Sequence, residues 1–200
     1  QVLAGTAAND NKGATVTVQG GVLALAKTPG VTAIGSATVT TPQTSIVISG
    51  GALRLDASNQ IHDLVPMTLS GGTFNANGFS ETLAALTVTA DSTIDFGAAG
   101  SILQFASGAQ TSGVLSVLNW EGDFAGGGAD QLRFTTDPGD AFLAAVQFDG
   151  YGLGEALSLD MGGWFEIVPK QVQPQEIPEP ASAILLTSGA AALGVRRRRR

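Results

Sequence analysis

The sequence predicts an all-β fold, a right-handed parallel β-helix (a β-solenoid) that ends in a single hydrophobic C-terminal helix. Three observations predict it. Glycine makes up 27 of the 200 residues and only 14% are charged, a composition poor in helix formers and rich in tight turns. A plan of short alternating strand, Gly-Gly corner and second alternating strand recurs along the first half. An uncharged apolar run and five arginines then close the sequence.

The recurring plan is clearest over residues 15–108. Val16-Thr17-Val18-Gln19-Gly20-Gly21-Val22-Leu23-Ala24-Leu25 returns as Ile46-Val47-Ile48-Ser49-Gly50-Gly51-Ala52-Leu53-Arg54-Leu55. It returns again as Met67-Thr68-Leu69-Ser70-Gly71-Gly72-Thr73-Phe74-Asn75-Ala76. A weaker copy runs through Leu86-Thr87-Val88, a turn at Ala90-Asp91-Ser92, and Ile94-Asp95-Phe96. Period-two alternation sends Val16, Val18, Leu23 and Leu25 to one face. No copy can bury that face alone, so stacked coils about 4.8 Å apart would cover one another. Aligned on their corners, the copies form an inward column Leu23, Leu53, Phe74, Ile94. The two outward columns are Ala24, Arg54, Asn75, Asp95 and Ala26, Asp56, Asn77, Gly97. The longer first interval, from Pro29-Gly30 to Pro42, is expected to loop out of a coil. A glycine-rich β-sandwich is the rival fold, although it would not need similar side chains in register after each corner.

Beyond Gly108 the plan fades. Val114 to Trp120 and Gln131 to Thr135 read as strands around a loop at Gly126-Gly127-Gly128. Pro138-Gly139-Asp140 reads as a turn, with Asp140 positioned to cap one helical turn through Ala141 to Ala145. Val146 to Phe148, Ala156 to Leu159 and Trp164 to Val168 are expected as final strands, an irregular section that covers the open end of the stack. The organisation is therefore a body at 1–168, a Pro-rich linker at 169–176, and a terminal segment at 177–200.

That segment has three parts: Ile177-Pro178-Glu179-Pro180, an apolar stretch from Ala181 to Val195, and Arg196, Arg197, Arg198, Arg199 and Arg200. Two prolines in three residues interrupt regular structure. Fifteen helical residues would reach about 22 Å against a hydrocarbon core of roughly 30 Å. Snorkelling arginines and local thinning shorten that gap. An ordinary core helix would carry a polar face, which this stretch lacks. The arginines place its end on the cytoplasmic side, so the body would lie outside the inner membrane. Export of this kind requires a basic, apolar leader; Gln1-Val2-Leu3-Ala4-Gly5 does not provide one, and the chain is expected to be part of a longer precursor. A nucleic-acid role for the arginines is disfavoured, because the remaining five basic residues face 17 acidic ones.

In order and position, the three parts resemble the PEP-CTERM sorting signal of exported bacterial proteins. The resemblance implies that Pro178, Glu179 and Pro180 are recognised by an exosortase, which removes the tail at the inner membrane. A permanent tail anchor is the alternative. Separately, Gly71 to Leu83 resembles the autotransporter-associated β-strand repeat, which implies a passenger-like right-handed parallel β-helix.

Chemistry-bearing residues are sparse. There is no cysteine and one histidine, which rules out Cys/His zinc sites and multi-histidine metal sites. His62 stands beside Asp63, but no Gly-x-Ser-x-Gly pattern accompanies them; a loop position is expected. Polysaccharide cleavage needs converging carboxylates, and the nearest candidates, Asp56 and Asp95, fall in different columns. Ala125 to Leu132 partly matches a calcium-binding nonapeptide, in a single copy with Ala125 at the first glycine position; a loop entering a strand is the simpler reading. No catalytic, cofactor or metal residue is assigned. The expectation is a structural or adhesive surface or matrix protein, or else a module that binds extracellular polysaccharide through Arg54, Asn75 and Asn77. A β-helical polysaccharide-degrading enzyme is the remaining alternative.

Overall fold

The computed structural model describes residues 1–35 and 44–171. Its first strands are β1 (Val2–Gly5), β2 (Thr15–Val18), β3 (Val22–Lys27), β4 (Ser45–Ile48) and β5 (Ala52–Leu55). Next come β6 (Met67–Leu69), β7 (Thr73–Asn75), β8 (Glu81–Val88), β9 (Ser92–Asp95), β10 (Ile102–Gln110), β11 (Leu115–Leu118) and β12 (Gln131–Phe134). A short helix, α1 (Gly139–Leu143), precedes β13 (Val146–Phe148), β14 (Ala156–Asp160) and β15 (Phe165–Pro169).

Among the described residues the protein is mostly β, with almost no helix, and its strands form two sheets, neither closed into a barrel. Odd-numbered strands β1 to β13 make a seven-stranded sheet, and even-numbered β2 to β12 make the core of an eight-stranded one. The chain therefore crosses between sheets at each step, and each strand in this stretch pairs in parallel with the strand two elements on. The exception lies at the C-terminal end, where β15 runs antiparallel to both β12 and β14.

Both sheets contribute to one core. In the odd-numbered sheet, register places Leu23 against Leu53, Leu53 against Phe74, and Phe74 against Ile94, the inward column read from the corners. It continues to Val117 and Phe148. The facing sheet supplies Ile46, Met67 and Leu86 in one column and Ile48, Leu69 and Val88 in another, all fully buried. Burying each such side chain favours folding by about 1.5–3 kcal/mol. Phe105, Phe134 and Phe142 fill the wider C-terminal end, with ring centroids 5.6 and 5.2 Å apart in successive pairs.

Some boundaries differ from the sequence reading. β8 and β10 are long strands where only Leu86 to Val88 stood out, because the alternation of β8 slips phase at Ala84-Ala85, two half-buried neighbours. β15 runs through Pro169, inside the expected linker, since its register with Ala156 extends that far. Part of the first interval turns inward rather than looping out: Ala33 and Ile34 are fully buried, and Ile34 forms a parallel bridge with Ile61. Residues 36–43 of that interval lie outside the described residues. Asp140 does not cap α1; it lies within the first turn, where an acid still suits the helix dipole. Asp137 accepts the Gly139 N–H instead, at 3.0 Å.

Candidate functional site

Period-two alternation turns Arg54, Asn75 and Asp95 outward from β5, β7 and β9, and register makes them successive neighbours. Arg54 spends its guanidinium on Asp56, donating from Nε at 2.7 Å and from Nη2 at 2.9 Å. These bonds hold the Asp56 carboxyl below its ordinary range. Asn77 donates to the same carboxylate at 3.3 Å and to the Leu55 carbonyl at 3.1 Å. Alongside, Asn75 donates to Asp95 Oδ2 at 3.0 Å and Asn119 donates to Asp95 Oδ1 at 2.7 Å. The outward face thus carries a ladder of amides and carboxylates, and Asn75 Oδ1 within it is buried without a partner.

The ladder leads to an aromatic depression. Asn119 borders a cavity of about 290 Å³ with Trp120, Phe124, Phe148, Asp149 and Tyr151. Trp120 meets Phe148 edge-on at 5.3 Å and Phe124 at 5.8 Å. Phe124 meets Tyr151 at 6.0 Å. Nothing in the sequence pattern brought these rings together, because Trp120, Phe124 and Tyr151 come from the loops after β11 and β13, beyond the clear repeats, and only Phe148 lies in a strand.

Three acids are buried for a different purpose. Glu81, at the start of β8, accepts the Gln60 N–H at 2.7 Å and the Ile61 N–H at 3.1 Å through Oε2. Burial pushes its carboxyl up to about 8, against the pull of these N–H groups. The Gln60 side chain in turn accepts the Lys27 N–H at 2.7 Å. Asp130 accepts N–H groups from Ser101 and Glu121, both at 2.8 Å, and burial raises its carboxyl as well. Glu166, raised for the same reason, accepts the Gly127 N–H at 2.9 Å. Glu81 and Asp130 thereby pair buried backbone donors at Gln60, Ile61 and Ser101 that would otherwise be left unpaired, while Glu166 ties down the half-buried Gly127 loop.

The residues weighed for chemistry have local partners. His62 follows the Ile61 bridge, in the expected loop, and its Nδ1 accepts the Leu64 N–H at 3.2 Å. Asp56 and Asp95 are held by separate sets of donors. Asp130, the acid of the partial nonapeptide, binds two backbone amides. Among the described residues no cluster of three or more His, Cys, Asp or Glu side chains is placed to hold a metal. Also among them, no helix is long and apolar enough to cross a membrane. Pro178, Glu179, Pro180, the stretch 181–195 and Arg196 to Arg200 lie outside the described residues.

Comparison with known proteins adds one match, to the PEP-CTERM protein-sorting motif, over residues 176–200. The chain carries a PEP-CTERM motif. Such a motif marks an exported protein with a C-terminal membrane-anchoring sorting signal, processed by an exosortase. The likeness of Gly71 to Leu83 to the autotransporter-associated repeat finds no support in that comparison. No curated protein matches the chain, and no solved structure does.

Proposed function

We propose that this PEP-CTERM protein is an exosortase-processed component of a bacterial surface or extracellular matrix. In this reading its body is a right-handed parallel β-helix with a structural or adhesive role and no catalytic site. The observation that carries the proposal is the sorting motif at 176–200, attached to a body whose strands step between two sheets and pair in parallel. A chain that repeats this step winds as a coil, and parallel crossovers favour the right-handed sense. The engagement of Asp56, Asp95 and Asp130 in fixed hydrogen bonds supports a scaffold over a carboxylate enzyme.

The tail would hold the protein briefly at the inner membrane, with the arginines cytoplasmic, until the exosortase removes it. Mass spectrometry of the protein recovered from the cell surface tests this. Peptides are expected to end near Pro178-Glu179-Pro180. Recovery of Pro180 to Val195 from most copies would identify a permanent anchor.

A second reading, binding of extracellular polysaccharide, is favoured by the outward ladder, whose amide and carboxylate groups suit hydroxyl-rich ligands. Arg54→Ala, Asn75→Ala and Asn77→Ala variants screened on a glycan array test it; unchanged binding by all three removes these residues from the reading.

A further inference from the structure

The aromatic depression at the end of the ladder stands apart from the rest of the molecule. Aromatic residues are only 6% of the chain, which has two tryptophans and one tyrosine. Six of the nine phenylalanines are buried: Phe74, Phe96, Phe105 and Phe134 are inaccessible to solvent, and Phe142 and Phe148, the latter at the floor of the cup, are nearly so. Yet Trp120, the single tyrosine Tyr151 and the 37%-exposed Phe124 gather around one cavity. A core would bury these rings fully, but Trp120 and Tyr151 are only half-buried against it, and a purely structural cap would not need polar groups among them. Here Asn119 and Asp149 border the same space, so apolar faces and hydrogen-bonding groups converge. Trp120 is seated by its contact with Gly122, where even a Cβ would lie 2.4 Å from the indole. The rings meet at 65–70°, which forms the walls of a cup rather than a stacked layer.

We propose that this cup binds one neutral sugar ring of an extracellular polysaccharide, with the adjoining ladder contacting the neighbouring units. A pyranose has an apolar C–H face that suits an aromatic wall and equatorial hydroxyls that suit an amide and a carboxylate at the rim. The volume of about 290 Å³ lies at the lower end of small-ligand pockets, which fits a single ring. Charge narrows the class. Asp149 lines the cup, Glu121 and Asp123 flank its loop, and no lysine or arginine among the described residues lines it, so uronates, sulfated sugars and phosphates are disfavoured. This deepens the polysaccharide-binding reading and depends on different residues, since Arg54 is committed to Asp56.

Tryptophan fluorescence tests it with the full chain in a sugar-free detergent. A Trp164→Phe background leaves Trp120 as the sole indole. The titrants are hexasaccharides of glucose, mannose, galactose and N-acetylglucosamine, with a galacturonic acid hexamer as the acidic control. Saturable change is expected with at least one neutral sugar and not with the acidic one. Tyr151→Ala and Phe124→Ala should each weaken binding roughly tenfold with little change in thermal midpoint. Tyr151→Phe, which keeps the ring and the fold, should retain at least part of the affinity. Arg54→Ala should leave the response in place. Flat titrations with every neutral sugar to about 10 mM overturn the proposal, as does preference for the acidic hexamer. Undiminished binding by both folded alanine variants overturns it too. Should either alanine variant unfold, Asp149→Asn gives the reading: altered affinity among the neutral sugars supports the cup, and an identical profile places binding elsewhere. Loss on Arg54→Ala with Tyr151→Ala unaffected shifts binding to the ladder and defeats the cup while sparing the broader reading.

Discussion

Glu81 is buried in the inward phase of β8, beside Leu83 and Leu86, and its carboxyl is pushed up to about 8 by that burial. The folded state therefore holds the Glu81 proton more tightly than the unfolded chain, whose glutamate titrates near 4.5. Unfolding releases this proton between those values, so stability is fully present below about pH 4.5 and declines as pH rises toward 8. Asp130 and Glu166, shifted upward by burial, act in the same direction. A Glu81→Gln variant keeps an oxygen for the Gln60 and Ile61 N–H groups but has no charge to desolvate. Denaturant melts across pH 4.5 to 8 should show it near the wild type at the acidic end, more stable at the alkaline end, and with a flatter profile. An unchanged slope would mean that Glu81 is charged throughout. Glu81→Ala should be destabilised at every pH, by about 1–3 kcal/mol for each buried donor left without a partner. Little of this was legible in the sequence. Alternation alone places Glu81 in the phase of Leu83, but an inward acid is indistinguishable there from a phase slip, and the backbone donors that receive it come from residues 20 and 21 positions away.

At the scale of elements, the Gly-Gly corners were legible and the reason for them is now specific. Gly21 and Gly51 both adopt positive φ, at 67° and 68°, which an L side chain occupies at a cost of order 1–3 kcal/mol. They differ in what lies beside them. A Cβ on Gly21 meets nothing within 4 Å, whereas one on Gly51 would fall 2.4 Å from the Gly21 carbonyl oxygen. Gly21→Ala should therefore lose stability by the conformational cost alone, and Gly51→Ala by clearly more, because the neighbouring corner backbone must move as well. Equilibrium urea denaturation of both variants measures the difference; equal losses would show that the corners do not need close approach. The columns followed from the same corners, since a glycine pair fixes the phase of the strand after it. The C-terminal elements were less legible because no corner repeats there. Strand positions could be read from local alternation, but the antiparallel turn of β15 onto β12 and the meeting of Phe124 with Trp120 and Tyr151 depend on loops that carry no period.

For the molecule as a whole, folding and delivery fall to separate parts of the chain. Among the described residues, the body's core draws on columns that run from Leu23 to Phe148, a stretch of chain separate from the sorting motif at 176–200. A change confined to Pro178, Glu179 and Pro180 should therefore alter processing without altering the fold. Replacing all three with alanine in the producing bacterium is expected to leave the circular dichroism of the purified body unchanged. The same change should move the protein from the released fraction to the membrane fraction, with the apolar stretch and arginines still attached. Alanine favours helix and proline opposes it, so a three-residue spacer of glycine and serine is the necessary second variant. If both substitutions block release, recognition of the Pro-Glu-Pro step explains the result. If only the alanine variant does, the step acts by keeping the segment extended. Normal release of both would show that neither its chemistry nor its conformation directs processing, and the apolar stretch with its arginines would then be the signal that is read.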